Sequence, residues 1–173
     1  MTREQFIKYS DRLGNLCDVL ISLAPEDRLD WKPDDGKWFT LGQQLGHLSG
    51  SFGLFGWMAE GCPPPSEEQK RARAEGPKPI SPEQARKVLA EKRAYVREKL
   101  QALSDSDYLS KHIDTGFGIQ GPICESLARA AEHTINEKMR LFTYLKLLGV
   151  PVNTPLLYRG EVPEALKQEA VAA

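Results

Sequence analysis

LGQQLGHLSGSFGLFGWM, residues 41–58, holds no Asp, Glu, Lys or Arg, and five glycines surround its single histidine, His47. Thr40 with Gln43 three positions on is a capping box, the pattern that opens a helix. At about 100° per residue, Leu41, Leu45, Leu48, Phe52 and Phe55 share one side, which predicts a core-facing stripe. Each glycine inside a helix costs roughly 0.5–1 kcal/mol relative to alanine. Gly42, Gly46, Gly50, Gly53 and Gly56 share the flanking arc, so the predicted compensation is close approach of another backbone, or space for a ligand. A helix that is apolar or small almost all round is buried, and it carries His47 in with it, near Gln43, Leu54 and Met58. Glycines four apart also mark membrane helix pairs. Here Gln43, Gln44, His47, Ser49 and Ser51 dilute the segment and no other resembles a span, so no membrane partner is expected.

Working outward, three more helices are legible. Thr2 and Gln5 box the first, over 2–23, with Phe6, Leu13, Leu16, Leu20 and Leu23 as its stripe. The glycine helix runs to about Gly61, before Pro63, Pro64 and Pro65. Ser81, Pro82 and Gln84 open the third, with Val88, Leu89, Val96 and Leu100 inward and a charged, wet face outward. The fourth spans 122–148, closed by Gly149 and Pro151. No strand pattern or internal repeat is visible. Residues 60–80 and 104–121 read as long connections, and a further link joins the first two helices. Helices adjacent in sequence therefore need not be adjacent in space. The tail after Glu161 is expected to add a short helix or to fray.

Composition sets bounds. The chain has 173 residues, enough for one domain over 1–173. A net charge of −1 draws it neither to nucleic acid nor to anionic lipid. The N-terminal MTREQFIKYSDRL lacks a signal-peptide core, and a cytoplasmic protein is expected. Cys17, Cys62 and Cys124 are odd in number, far apart and without a C-x-x-C pair, which argues for reduced thiols and against a disulfide framework or a cysteine zinc site. Each is read as a small buried hydrophobe rather than a nucleophile.

In AEHTINEKMRLFTYLKLLG, His133 and Glu137 are one helical turn apart on the same face. With one more histidine from a facing helix they make a three-ligand divalent metal site, which leaves coordination positions open. The plain alternative is an exposed His–Glu pair, with Arg140 simply neutralising Glu137. Tyr144, two turns beyond Glu137, either hydrogen-bonds a substrate or packs with its hydroxyl at the surface. His112, in a connection with Asp114, is the weaker ligand candidate.

Two stretches, WKPDDGKWFTLGQQLGHL and HTINEKMRLFTYLKLLGVP, resemble the DinB-like family of four-helix bundles, which includes metal-dependent hydrolases and transferases that use low-molecular-weight thiols. The second is similar to the family pattern H-x-x-x-H-x-x-Q. The resemblance covers most of the chain. It implies an all-α four-helix bundle with metal ligands at His47, His133 and position 137. The second family histidine is Glu137 here, and the glutamine is Arg140. Glutamate also ligates metals, so a divalent transition ion is implied, zinc or nickel first and manganese or iron after them. The expected partners are a small-molecule substrate, with a low-molecular-weight thiol as one candidate, and a second copy in a homodimer. Self-association is expected to use apolar surface near the second helix or around Leu156, Leu157 and Tyr158. The rival reading is a metal-free bundle that binds a small ligand or dimerises without catalysis, with His47 hydrogen-bonded to a polar neighbour.

Overall fold

The computed structural model describes residues 1–166. Eight α-helices, a short 3-10 helix (Glu26–Arg28) and one small hairpin occur among them. The predicted bundle is formed by α1 (Arg3–Ser22), the pair α2 (Leu41–Ser51) and α3 (Gly53–Ala59), α5 (Pro82–Ala102) and α7 (Ile123–Leu147). Between α3 and α5 lies α4 (Glu67–Glu75), and α6 (Asp105–Ser110) precedes α7. The chain then adds α8 (Thr154–Arg159). All three predicted capping boxes are formed: Thr2 with Gln5, Thr40 with Gln43 and Ser81 with Gln84.

The glycine helix is two segments rather than one. Phe52 keeps αR backbone angles between them, while the Phe55 amide bonds three residues back, to Phe52 O at 3.4 Å. Gly50 and Gly53 flank the break, where helix propensity is lowest. The predicted stripe is intact, since Leu41, Leu45, Leu48, Phe52 and Phe55 are all buried.

Helix directions follow from the pairs that touch. Asp18 meets Arg86 and Asp11 meets Arg97, so α1 and α5 are antiparallel. Gly53 faces Lys92, and Glu60 pairs with Lys99, so α2–α3 and α5 are parallel. Gln44 reaches Glu137 while His47 lies against His133, so α2 and α7 are antiparallel. Around the bundle the order is α1, α5, α2–α3, α7. Sequence neighbours α1 and α2 are thus diagonal, as the long links anticipate.

The 104–121 connection holds the strands that the sequence did not suggest. Strand β1 (His112–Asp114) pairs antiparallel with β2 (Gln120–Pro122), in register Ile113 to Gly121. Each is three residues long and only Ile113 is buried, too little to show a period-two pattern. Helix α8 likewise has no counterpart in the sequence pattern. Asn153 caps it, and Lys138 donates from Nζ to Leu157 O at 3.1 Å. Leu156 and Leu157 are buried by this docking, so the expected self-association surface there is reduced to the exposed Tyr158. The short helix expected after Glu161 falls largely outside the described residues. Among the described residues, no helix is long and apolar enough to cross a membrane.

The glycines of α2 have a specific reason. Residues 78–80 cross its N-terminal half, with Ile80 N donating to Gly42 O at 3.2 Å. A Cβ on Gly42 would meet Pro79 at 3.0 Å, and one on Gly46 would meet the Lys78 carbonyl at 2.6 Å. Gly53 and Gly56 make room for Lys92 and Tyr95 of α5. Gly50 is the exception: it is exposed and nothing lies within 4 Å of its would-be Cβ.

Candidate metal centre

Because α2 and α7 run antiparallel in contact, their polar side chains meet inside an otherwise apolar seam. His47 from α2 and His133 with Glu137 from α7 form a group whose ligand atoms all lie within 4.8 Å of one another. His47 Nε2 is 3.7 Å and His133 Nδ1 3.9 Å from the same oxygen, Glu137 Oε1. These are too long for hydrogen bonds. The two imidazoles stand edge to face at 5.3 Å. The three predicted ligands are therefore brought together. His112, exposed on β1, is not among them, and its neighbour Asp114 bonds Gly116 N and Gln120 Nε2 within the hairpin.

Arg140 does not draw Glu137 out of the group. Its Nη1 donates to Glu137 Oε2 at 2.7 Å, and Gln44 Nε2 donates to the same oxygen at 3.0 Å. Gln44 also holds the Glu137 carbonyl at 3.1 Å. Both donors act on one edge of the carboxylate and leave Oε1 turned to the histidines. Glu137 is only 3 % exposed and Gln44 fully buried, so this orientation is set by packing. By sequence alone Gln44 is only a polar dilution of the helix. Its place three residues before His47, on nearly the same face, was the available signal.

Burial lowers the pKa of His47, with His133 and Arg140 adding to the effect and Glu137 opposing it. The result favours the neutral imidazole, the form with a lone pair for a metal. The ring of His47 also packs on Phe39 at 5.3 Å. Neither imidazole hydrogen-bonds another described residue, contrary to the polar partner that the rival reading gave His47. A tetrahedral zinc site needs ligand atoms roughly 3.3 Å apart, given bonds of about 2.0–2.1 Å. Small rotations of two partly exposed histidines bridge the difference, so the donor set fits a divalent transition ion.

Tyr144 takes neither predicted role. Its hydroxyl is not at the surface but donates to Phe39 O at 2.9 Å, and its ring meets Trp31 and Trp38 edge-on. It fixes the loop that leads into α2. Two of the thiols are unsuited to attack. Burial pushes Cys17 up to about 12 and Cys62 up to about 11, with Asp114 adding to the latter. Cys62 and Cys124 are partly exposed rather than buried, and all three cysteines are free.

Comparison with known proteins agrees with this architecture. A DinB-like protein from Bacillus subtilis is 20 % identical, with a TM-score of 0.64 over 84 % of this chain and 92 % of its own. A putative DinB family member from Exiguobacterium sibiricum is 22 % identical, with a TM-score of 0.67 over 90 % of this chain and 98 % of its own. At such identities the likeness is one of fold. No curated protein matches. Residues 10–164 match the DinB superfamily profile, so with this bundle and connectivity the chain belongs to the DinB superfamily.

Proposed function

We propose that the protein binds one divalent transition ion through His47, His133 and Glu137 and uses it in hydrolysis or in transfer to a low-molecular-weight thiol. The observation that carries this reading is the Glu137 carboxylate. One edge is saturated by Arg140 and Gln44, while Oε1 faces two imidazoles without accepting a hydrogen bond. A self-contained Glu–Arg ion pair would not need that arrangement. Two histidines and a glutamate also form a known catalytic zinc set, and imidazole suits nickel as well. Such an ion supplies Lewis acidity, lowering the pKa of bound water or thiol to give a nucleophile near neutral pH.

The chain's own residues supply the rest. Gln44 and Arg140 are positioning residues that aim the carboxylate. Phe39 limits water on one side of His47, and Tyr144 keeps the Phe39 loop in place.

The test is turnover by zinc- and nickel-loaded protein, assayed for hydrolysis of a simple ester and for thiol consumption with an electrophile. Metal-dependent turnover in one assay, falling at least about a hundredfold in His133→Ala, is expected. Turnover that is the same with and without metal, or none in either assay, would count against the catalytic reading.

A further inference from the structure

Beside the His–His–Glu group lies a cavity of about 330 Å³ lined by Lys37, Trp38, Phe39 and Arg140. We propose that it receives the carboxylate of a small substrate with a flat apolar body. This deepens the metal-site reading and rests on it for the chemistry, but not for the recognition.

Four observations converge. First, the cavity walls hold two cations and no carboxylate. Lys37 is exposed and makes no ion pair with a described residue. Arg140, also on the wall, uses Nη1 on Glu137, and its remaining donors make no hydrogen bond to a described residue. Second, the acids nearby are turned to other work. Asp34 accepts from Gly36 N and from Trp38 Nε1, and Glu137 gives Oε2 to Arg140 and Gln44. Third, the other two walls are aromatic. Trp38 is a large ring left 47 % exposed, yet it is held by Asp34 and lies against Tyr144. An exposed but anchored ring is suited to stack a flat group. Fourth, the cavity adjoins the candidate ligands. Two of its lining residues touch them, since Phe39 packs on His47 and Arg140 bonds Glu137. The volume is at the low end for small-molecule pockets, roughly 300–1,000 Å³.

Phenylacetate and its neutral analogue phenylacetamide separate charge recognition from apolar contact. Both are titrated into the full chain by calorimetry, with and without zinc, and tryptophan fluorescence is followed because Trp38 lines the cavity. The expected preference for phenylacetate is about threefold or more without zinc and about tenfold or more with it. It should fall to near unity in zinc-free Lys37→Met and persist in Lys37→Arg. Lys37 is exposed, so neither variant endangers folding. Protein that takes up no zinc yet keeps the preference would contradict the metal reading and support this one. Equal affinities, no binding of either probe up to about 10 mM, or an undiminished preference in Lys37→Met would overturn it.

Discussion

Gly46→Leu is expected to destabilise the protein by about 1–3 kcal/mol or more, and Gly46→Ala to destabilise it despite alanine's better helix propensity. The Cβ of either would lie 2.6 Å from the Lys78 carbonyl oxygen, with Ile80 close behind. That oxygen is backbone, in a segment tied to the same helix through Ile80 N and Gly42 O. It cannot step aside as a flexible side chain would. Gly50→Ala provides the internal control. Nothing lies within 4 Å of its would-be Cβ, so the propensity gain of roughly 0.5–1 kcal/mol should appear as added stability. Urea unfolding of the metal-free variants reads both signs. A rise in stability for Gly46→Ala would show that the crossing segment yields freely, and the packing account of these glycines would be wrong.

Glu137→Ala should lower the stability of metal-free protein by about 1–3 kcal/mol, and Glu137→Gln by clearly less. The loss does not come mainly from Arg140, which is partly exposed and can be rehydrated. It comes from Gln44, which is fully buried and whose Oε1 already has no hydrogen-bond partner. Truncating Glu137 leaves one of its amide donors unpaired as well, beside the space of the lost carboxylate. Glutamine at 137 preserves an acceptor oxygen. Chemical denaturation in the presence of a chelator distinguishes the two variants. Wild-type stability in Glu137→Ala would mean that the Gln44–Glu137 bond contributes nothing to packing.

Local signals carried much of the bundle. Three Thr or Ser caps with Gln three residues on marked helix starts, because that pairing satisfies orphan amides wherever it occurs. The apolar stripe of residues 41–55 marked the core side. What periodicity cannot show is partner identity. Gly46 and Gly50 looked alike in sequence, but only Gly46 lies under the 78–80 segment. The hairpin escaped because three-residue strands have no period to read. Helix α8 escaped because it is a single short turn system whose burial depends on α1 and α7. At the site, spacing alone placed His133 and Glu137 on one face. Joining His47 to them needed the family resemblance, and the split duty of Glu137 needed coordinates. Arg140 looked like a competitor for the carboxylate, whereas it occupies the edge that the histidines do not face.

The central claim is that His47, His133 and Glu137 hold one divalent ion between α2 and α7. The most direct measurement is calorimetric titration of zinc into chelator-stripped protein, with metal content checked by elemental analysis. Wild type is expected to take up one ion per chain, with affinity reduced by roughly a hundredfold or more in His47→Ala, beyond the loss typical of disturbing an outer-shell partner. No uptake of zinc or nickel by wild type, or equal uptake by His47→Ala, would contradict the account.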